Sequence, residues 1–133
     1  MKPCPCFSSK PYAECCRPYH EGLLPEEALK LMRSRYSAYA LGLAEYIIQT
    51  THPDHPSYSS ETSLWKQDIL KFSNSTLFVS LTILDFIPGD KKAYVTFKAG
   101  LKQNDQDVSF TEKSFFLKEG ARWLYRQGEI LSP

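Results

Sequence analysis

The chain has 133 residues, enough for one main domain, and its hydrophobic (42%) and aromatic (14%) content can fill a core. Sixteen lysines and arginines against fifteen aspartates and glutamates leave a net charge of +1, which argues against nucleic acid or an anionic membrane as a partner. The sequence contains no run of eighteen apolar residues, so it predicts no membrane span.

All four cysteines fall within the first sixteen residues, as Cys4, Cys6, Cys15 and Cys16. Thiolates are soft ligands, and four of them suit a tetrahedral Zn²⁺. The two cysteines of the first pair could face one ion across Pro5, and the loop between the pairs is long enough to fold back over it. We therefore predict a structural zinc held by these four residues, with no coordination position left for water.

Disulfides, redox chemistry and inert thiols are the alternatives to zinc. Small secreted domains use disulfides, but this sequence begins directly with the cysteine motif and shows no apolar leader. A segment this short also buries too little apolar surface to order itself, and a bound metal would supply the missing free energy. Reduced thiols and the lack of an export signal lead us to expect a cytoplasmic protein.

The segment 17–25 reads as a linker, because proline and glycine interrupt it without periodicity. His20 within it is either a spare metal ligand or a packing residue, and four cysteines already fill a zinc shell. The sequence thus divides into a zinc knuckle, residues 1–20, and a second domain, residues 21–133.

Three helices are predicted next. Pro25 and the two glutamates after it favour a helix start, and apolar residues then recur at helical spacing to about Leu41, with Gly42 as a break. A second helical stretch covers residues 43–50. Ser60 reads as the N-cap of a third helix. The inner face of that third helix is expected to carry Leu64, Trp65, Ile69 and Phe72.

After Ser73 the pattern changes to the alternation of apolar and polar residues that is typical of strands. Four strands are predicted, at residues 77–86, 93–101, 108–118 and 121–127. Their short connections indicate an antiparallel meander. Three helices followed by a curved four-stranded sheet make an α+β domain with the helices on one face.

The cysteine segment resembles the SEC-C motif in all four cysteines and in Pro5, Lys10 and Tyr12. That motif is best known as the zinc-binding tail of the translocation ATPase SecA, where it contacts partner proteins. The resemblance therefore implies zinc and a protein partner. The family usually has Gly-Ser-Gly where this chain has Phe7-Ser8-Ser9, and since glycine permits a positive φ, the change bears on loop geometry and metal affinity.

The order of the elements is similar to that of the nuclear transport factor 2-like, or cystatin-like, cone. Residues 31–39, Leu-Met-Arg-Ser-Arg-Tyr-Ser-Ala-Tyr, more specifically resemble the YchJ family, in which a SEC-C motif precedes such a domain. This resemblance implies the fold and the metal but assigns no activity.

Two charged residues are expected to point into the cone. Arg33 lies about 40° from Leu29 around the helix, inside the apolar stripe. Glu112 shares a strand face with Phe110 and Phe116. Because a buried charge needs a partner, we predict an Arg33–Glu112 pair, either as a structural tether or as an anchor for a ligand carboxylate or carbonyl.

Two functions stay open at this point. The first is a protein-interaction module in which the zinc knuckle contacts the partner. The alternative is small-molecule binding or enzymatic activity in a pocket of the cone, with His52 as a general base at its mouth. The pocket candidates, each of which also fits a plain core or surface role, are Arg33, Tyr36, His52, Trp65, Glu112, Phe116 and Trp123.

Overall fold

A computed structural model describes residues 2–132. Within these residues a 3₁₀ turn, Tyr12–Glu14, is followed by four helices and five strands. The helices are α1 (Arg17–His20), α2 (Ala28–Leu41), α3 (Ala44–Gln49) and α4 (Thr62–Ser75). The strands are β1 (Leu77–Ile87), β2 (Lys92–Gln103), β3 (Gln106–Asp107), β4 (Phe110–Glu119) and β5 (Arg122–Ser132). No helix in this range is both long and apolar enough to cross a membrane.

The sheet is an antiparallel meander, as predicted, with the strand order β1-β2-β4-β5. The two-residue strand β3 adds to the end of β2. It closes a tight hairpin in which Asn104 and Asp105 both adopt positive φ, a conformation that asparagine and aspartate tolerate better than most residues.

Helix α2 is the central helix of the fold. It contacts β1, β2 and β5 as well as the other helices, and most of its side chains from Leu31 to Ala38 are buried. It ends at Gly42, whose φ of 74° lies in the left-handed region and whose N–H donates to the carbonyls of Ala38 and Tyr39. The predicted helix and its glycine stop are therefore confirmed.

Several element boundaries differ from the sequence-based expectation by one or two residues, and three further features differ in kind or extent. Residues 17–20 form the single turn α1 inside the predicted linker. Helix α4 begins at Thr62 with Glu61 as its N-cap, and Ser60 does not cap it. Strand β5 continues to Ser132, because its last residues pair with the start of β4 although their side chains are exposed and show no apolar alternation.

The main hydrophobic core joins the cysteine segment to the rest of the protein. Cys4, Cys6 and Cys16 lie in one cluster of buried residues that also contains Leu31 and Phe116. A smaller cluster lies between α2, α3 and α4. The cysteine segment thus packs against α2 and is part of the same core as the sheet.

Candidate metal centre and cone cavity

Residues 2–16 fold back on themselves and bring the four thiols together. The N–H of Cys4 donates to the carbonyl of Lys10 at 2.9 Å, and the N–H of Tyr12 donates to that of Lys2 at 2.9 Å. The second cysteine pair follows the 3₁₀ turn, and Cys16 is the N-cap of α1. The loop between the pairs therefore reverses the chain, as the spacing predicted.

The thiol geometry fits a tetrahedral metal ion. The four Sγ atoms all lie within 4.8 Å of one another; Cys6 Sγ is 3.6 Å from Cys15 Sγ, and Cys15 Sγ is 4.0 Å from Cys16 Sγ. Four sulfurs at the usual Zn–S distance of about 2.3 Å would be separated by about 3.8 Å. All four cysteines are free thiols. The set could hold a metal without rearranging its backbone.

The thiols differ in their tendency to ionise. The pKa of Cys6 is lowered to about 4, because Cys16, Ser8, Cys4 and Cys15 hydrogen-bond to its sulfur. Desolvation raises the pKa of Cys4 to about 11. The pKa of Cys16 is raised, because its thiol donates to Cys6 and is buried. Cys6 therefore forms a thiolate readily, whereas Cys4 and Cys16 resist ionisation, and a divalent cation would remove that resistance.

Arg33 supplies positive charge to this cluster. Its Nη1 donates to the carbonyl of Cys6 at 3.0 Å and lies 3.7 Å from Cys6 Sγ. Ser8 Oγ lies 3.1 Å from Cys15 Sγ on another side. The predicted Arg33–Glu112 pair is wrong, because the helix face that carries Arg33 is covered by the cysteine segment and not by the sheet.

The loop after Cys6 uses the backbone conformation that glycine favours. Phe7 has a φ of 60° and Ser9 a φ of 73°, the two positions at which the SEC-C family usually has glycine. Non-glycine residues pay about 1–2 kcal/mol there. The Phe7 ring is 46% exposed and packs edge-on against Tyr36, with the ring centroids 6.3 Å apart. The metal loop therefore adopts a backbone conformation that suits glycine, at a conformational cost.

His20 links the cysteine segment to α2 and is not a fifth ligand in this set. Its Nε2–H donates to the carbonyl of Ser34 at 2.8 Å, which leaves Nδ1 to accept from the Tyr12 hydroxyl at 2.7 Å. Burial lowers the pKa of His20, consistent with this neutral form. Packing was the reading favoured from the sequence.

A cavity of about 730 Å³ lies between α2, α4 and the inner face of the sheet. Four of the predicted pocket residues line it: Tyr36, Trp65, Glu112 and Phe116. Edge-on aromatic contacts connect it to the metal loop, since Tyr36 also packs against Phe78, with the centroids 5.5 Å apart. The cysteine segment and the cavity therefore share a wall.

The other three pocket candidates lie elsewhere among the described residues. Arg33 faces the cysteines, as above. His52 is buried beside the sheet, where its Nδ1 accepts from the N–H of Asp54 at 3.0 Å and its Nε2 lies 3.6 Å from a carboxylate oxygen of Glu119. The indole N–H of Trp123 donates to the carbonyl of Glu26 at 3.2 Å. These contacts hold both side chains in place outside the cone cavity.

The polar end of the cavity centres on Glu112. Its Oε2 accepts hydrogen bonds from the Tyr125 hydroxyl, at 2.9 Å, and from the Ser114 hydroxyl. Burial and the Glu112 charge raise the pKa of Tyr125. A Cβ at Gly128 would collide with both the Tyr125 hydroxyl and the Glu112 carboxylate, so glycine at this position makes room for the pair.

Arg35 is the arginine that borders the cavity, and sequence reasoning missed it. Its Nη1 donates to the carbonyl of Ile47 and to the hydroxyls of Thr50 and Thr51, at 2.8–3.1 Å, and its guanidinium carbon lies 4.7 Å from the centre of the Tyr125 ring. Arg33 was singled out because it lies four residues after Leu29, on the same side of the helix. The same spacing holds for Arg35, which lies four residues after the buried Leu31. Spacing alone does not tell which face meets the cone.

Comparison with known proteins assigns the family. Residues 27–128 match the YchJ middle domain, which is NTF2-like. The chain belongs to the YchJ family. A UPF0225 protein from Actinobacillus succinogenes is similar, with 38% identity over 133 residues that cover 98% of this chain and 83% of the relative.

Two solved structures extend the YchJ similarity over the cysteine segment. A SEC-C motif containing protein from Rhodopseudomonas palustris has 29% identity and a TM-score of 0.83, covering 98% of this chain and all of that one. A SEC-C motif containing protein from Psychrobacter arcticus has 30% identity and a TM-score of 0.77, covering 95% of this chain and 81% of that one. The predicted family and cone fold are thus confirmed.

Proposed function

We propose that this YchJ-family protein is a protein-interaction module whose binding surface is built around a structural zinc. The observation that carries the zinc assignment is the cluster of four free thiols with mutual Sγ separations below 4.8 Å. Cys4, Cys6, Cys15 and Cys16 would hold the ion. When bound, zinc would cross-link the two ends of the loop and offset half of the negative charge of the thiolates, and four protein ligands leave no position for a substrate.

The surroundings of the cluster support a structural role for this metal. Zinc with four thiolates carries a net charge of −2, and Arg33 and the Ser8 hydroxyl lie against two of the sulfurs. Three of the four cysteines are buried in the core. A reducing compartment such as the cytoplasm, where we place the protein, keeps such thiols available for zinc.

The exposed side of the metal loop is the proposed contact surface. Phe7 presents a ring that is nearly half exposed, on a loop held by two backbone hydrogen bonds. The N–H of Phe7 donates to the carbonyl of Cys4, and the N–H of Cys4 donates to the carbonyl of Lys10. A rigid aromatic side chain gives contact area at low entropic cost. The partner we propose is a protein segment that places an apolar side chain against Phe7. The knuckle is residues 1–20, and residues 21–133 support it.

A photo-crosslinking experiment tests the partner. A photoreactive phenylalanine analogue at position 7 is expected to give a discrete crosslinked protein in growing cells, whereas the same analogue at Leu84, a somewhat more exposed residue on β1, is not. Substituting Cys15→Ser should abolish the product by disordering the loop. The same product from position 84, or its persistence in the Cys15→Ser protein, would contradict the proposed surface.

A further inference from the structure

Helix α4 directs apolar side chains toward the cavity. Trp65, Ile69 and Phe72 line it, and so does Leu64, although Leu64 is 60% exposed. The opposite wall is formed by phenylalanines of the sheet. A volume of about 730 Å³ falls within the range of sites that bind small organic molecules, roughly 300–1,000 Å³. The walls thus suit an apolar, preferably aromatic, body.

The Glu112 carboxylate offers this cavity one unused acceptor. Both of its protein donors, Tyr125 and Ser114, bond to the same oxygen, Oε2. Among residues 2–132, no group donates a hydrogen bond to the other oxygen, Oε1. Because Ser114 is 1% exposed and Gly128 leaves no slack behind the pair, the carboxylate is fixed in place. A ligand N–H or O–H would complete its hydrogen bonding.

Arg35 supplies a positive charge and hydrogen-bond donors to the same end of the cavity. Arg35 is only 8% exposed, yet it borders the cavity. All of the hydrogen bonds that it donates within residues 2–132 come from Nη1. Its guanidinium stacks over the ring of Tyr125, the same residue that donates to Glu112. At this end of the cavity Arg35 would repel a cationic ligand and Glu112 would repel an anionic one, so a group that both donates and accepts hydrogen bonds fits without a net charge. The other two carboxylates of the lining, Glu61 and Asp68, are exposed to solvent.

We infer that the cone cavity is a binding site for a small neutral aromatic molecule that carries an adjacent N–H donor and C=O acceptor, as in a carboxamide or a lactam. The N–H would donate to Glu112 Oε1, and the carbonyl would accept from Arg35. The apolar body would lie against the phenylalanine wall and α4. The site binds without any chemical step and is separate from the zinc cluster.

The test uses zinc-loaded, isotope-labelled full-length protein and three probes that share one ring system. Indole-3-carboxamide is neutral, indole-3-carboxylate is anionic and 3-(aminomethyl)indole is cationic. Amide NMR titrations are expected to show the carboxamide binding at least tenfold more tightly than either charged probe, with the largest shifts at residues 112, 114 and 125. No saturable binding of the carboxamide, or shifts centred elsewhere, would overturn the inference.

Two variants distinguish an effect on the binding site from a general loss of stability. Glu112→Gln should weaken carboxamide binding about tenfold and should strengthen carboxylate binding, because the repelling charge is gone. The matched control is Glu129→Gln on the exposed part of β5, which should change neither affinity. An unchanged selectivity in Glu112→Gln would overturn the inference. If that variant does not fold, Gly128→Ala displaces the carboxylate without removing it and should give the same loss of carboxamide affinity.

Discussion

Replacing Ser9 with glycine is expected to stabilise the protein and to tighten its metal site. Ser9 is exposed and has a φ of 73°, so its Cβ is held in a conformation that costs about 1–2 kcal/mol. Glycine removes this cost but has more freedom to lose in the unfolded chain, about 0.5–1 kcal/mol. The net gain is therefore about 0.5–1 kcal/mol.

A second variant, Phe7→Gly, separates the effect of the backbone strain from the effect of side-chain contacts. Phe7 has the same backbone conformation, but its ring packs against Tyr36, and an aromatic pair of this kind contributes about 0.5–1.5 kcal/mol. Phe7→Gly therefore loses about as much as it gains and should leave stability near its starting value or lower. Ser60 is a matched control for Ser9, since it is an exposed loop serine outside the positive-φ set.

Thermal unfolding at a fixed excess of free zinc measures these differences. Ser9→Gly should raise Tm by roughly 2–5 °C, whereas Ser60→Gly should lower it slightly. A chelator competition should show a two- to fivefold tighter zinc site in Ser9→Gly, the equivalent of about 0.5–1 kcal/mol. If Ser9→Gly is destabilised as much as Ser60→Gly, the strain argument is wrong.

Three further results are expected. Chelation should lower the Tm of the whole protein and not only release the cysteine segment, because a structural zinc of this kind contributes about 10–16 kcal/mol and three of the four cysteines lie in the shared core. Thermal unfolding followed by tryptophan fluorescence measures this, and an unchanged transition of the cone after chelation would contradict it. Arg33→Gln should weaken zinc binding about tenfold in a chelator competition, whereas the exposed Arg17→Gln should not. Tyr36→Phe should lower the free energy of unfolding, measured with denaturant, by about 1–2 kcal/mol, because the carbonyl of Ser80 loses its donor. A decrease below about 0.5 kcal/mol, which is typical of a surface substitution, would argue against that hydrogen bond.

The sequence alone predicted those features of the fold and the site that depend on one local pattern of residues. The clustered cysteines indicated a metal set, and Gly42 marked the end of α2 because few other residues adopt its backbone conformation. Strand alternation correctly pointed Glu112 inward. The substitution of Phe7 and Ser9 for glycine also identified the two positions where the backbone is strained.

The sequence failed where two neighbouring surfaces compete for one helix. Arg33 and Arg35 both lie close to apolar residues of α2, and periodicity does not tell which is covered by the cysteine segment and which by the cone. That choice depends on contacts between residues far apart in the chain. The end of β5 was missed for a related reason, since residues exposed on both faces carry no alternation.

The most direct test of the central claim is zinc K-edge X-ray absorption on protein purified under reducing conditions. We predict one zinc per chain, with four sulfur neighbours at about 2.3 Å and no nitrogen or oxygen in the first shell. A metal-free protein, or a zinc with fewer sulfurs and a bound water, would contradict a closed structural site formed by Cys4, Cys6, Cys15 and Cys16.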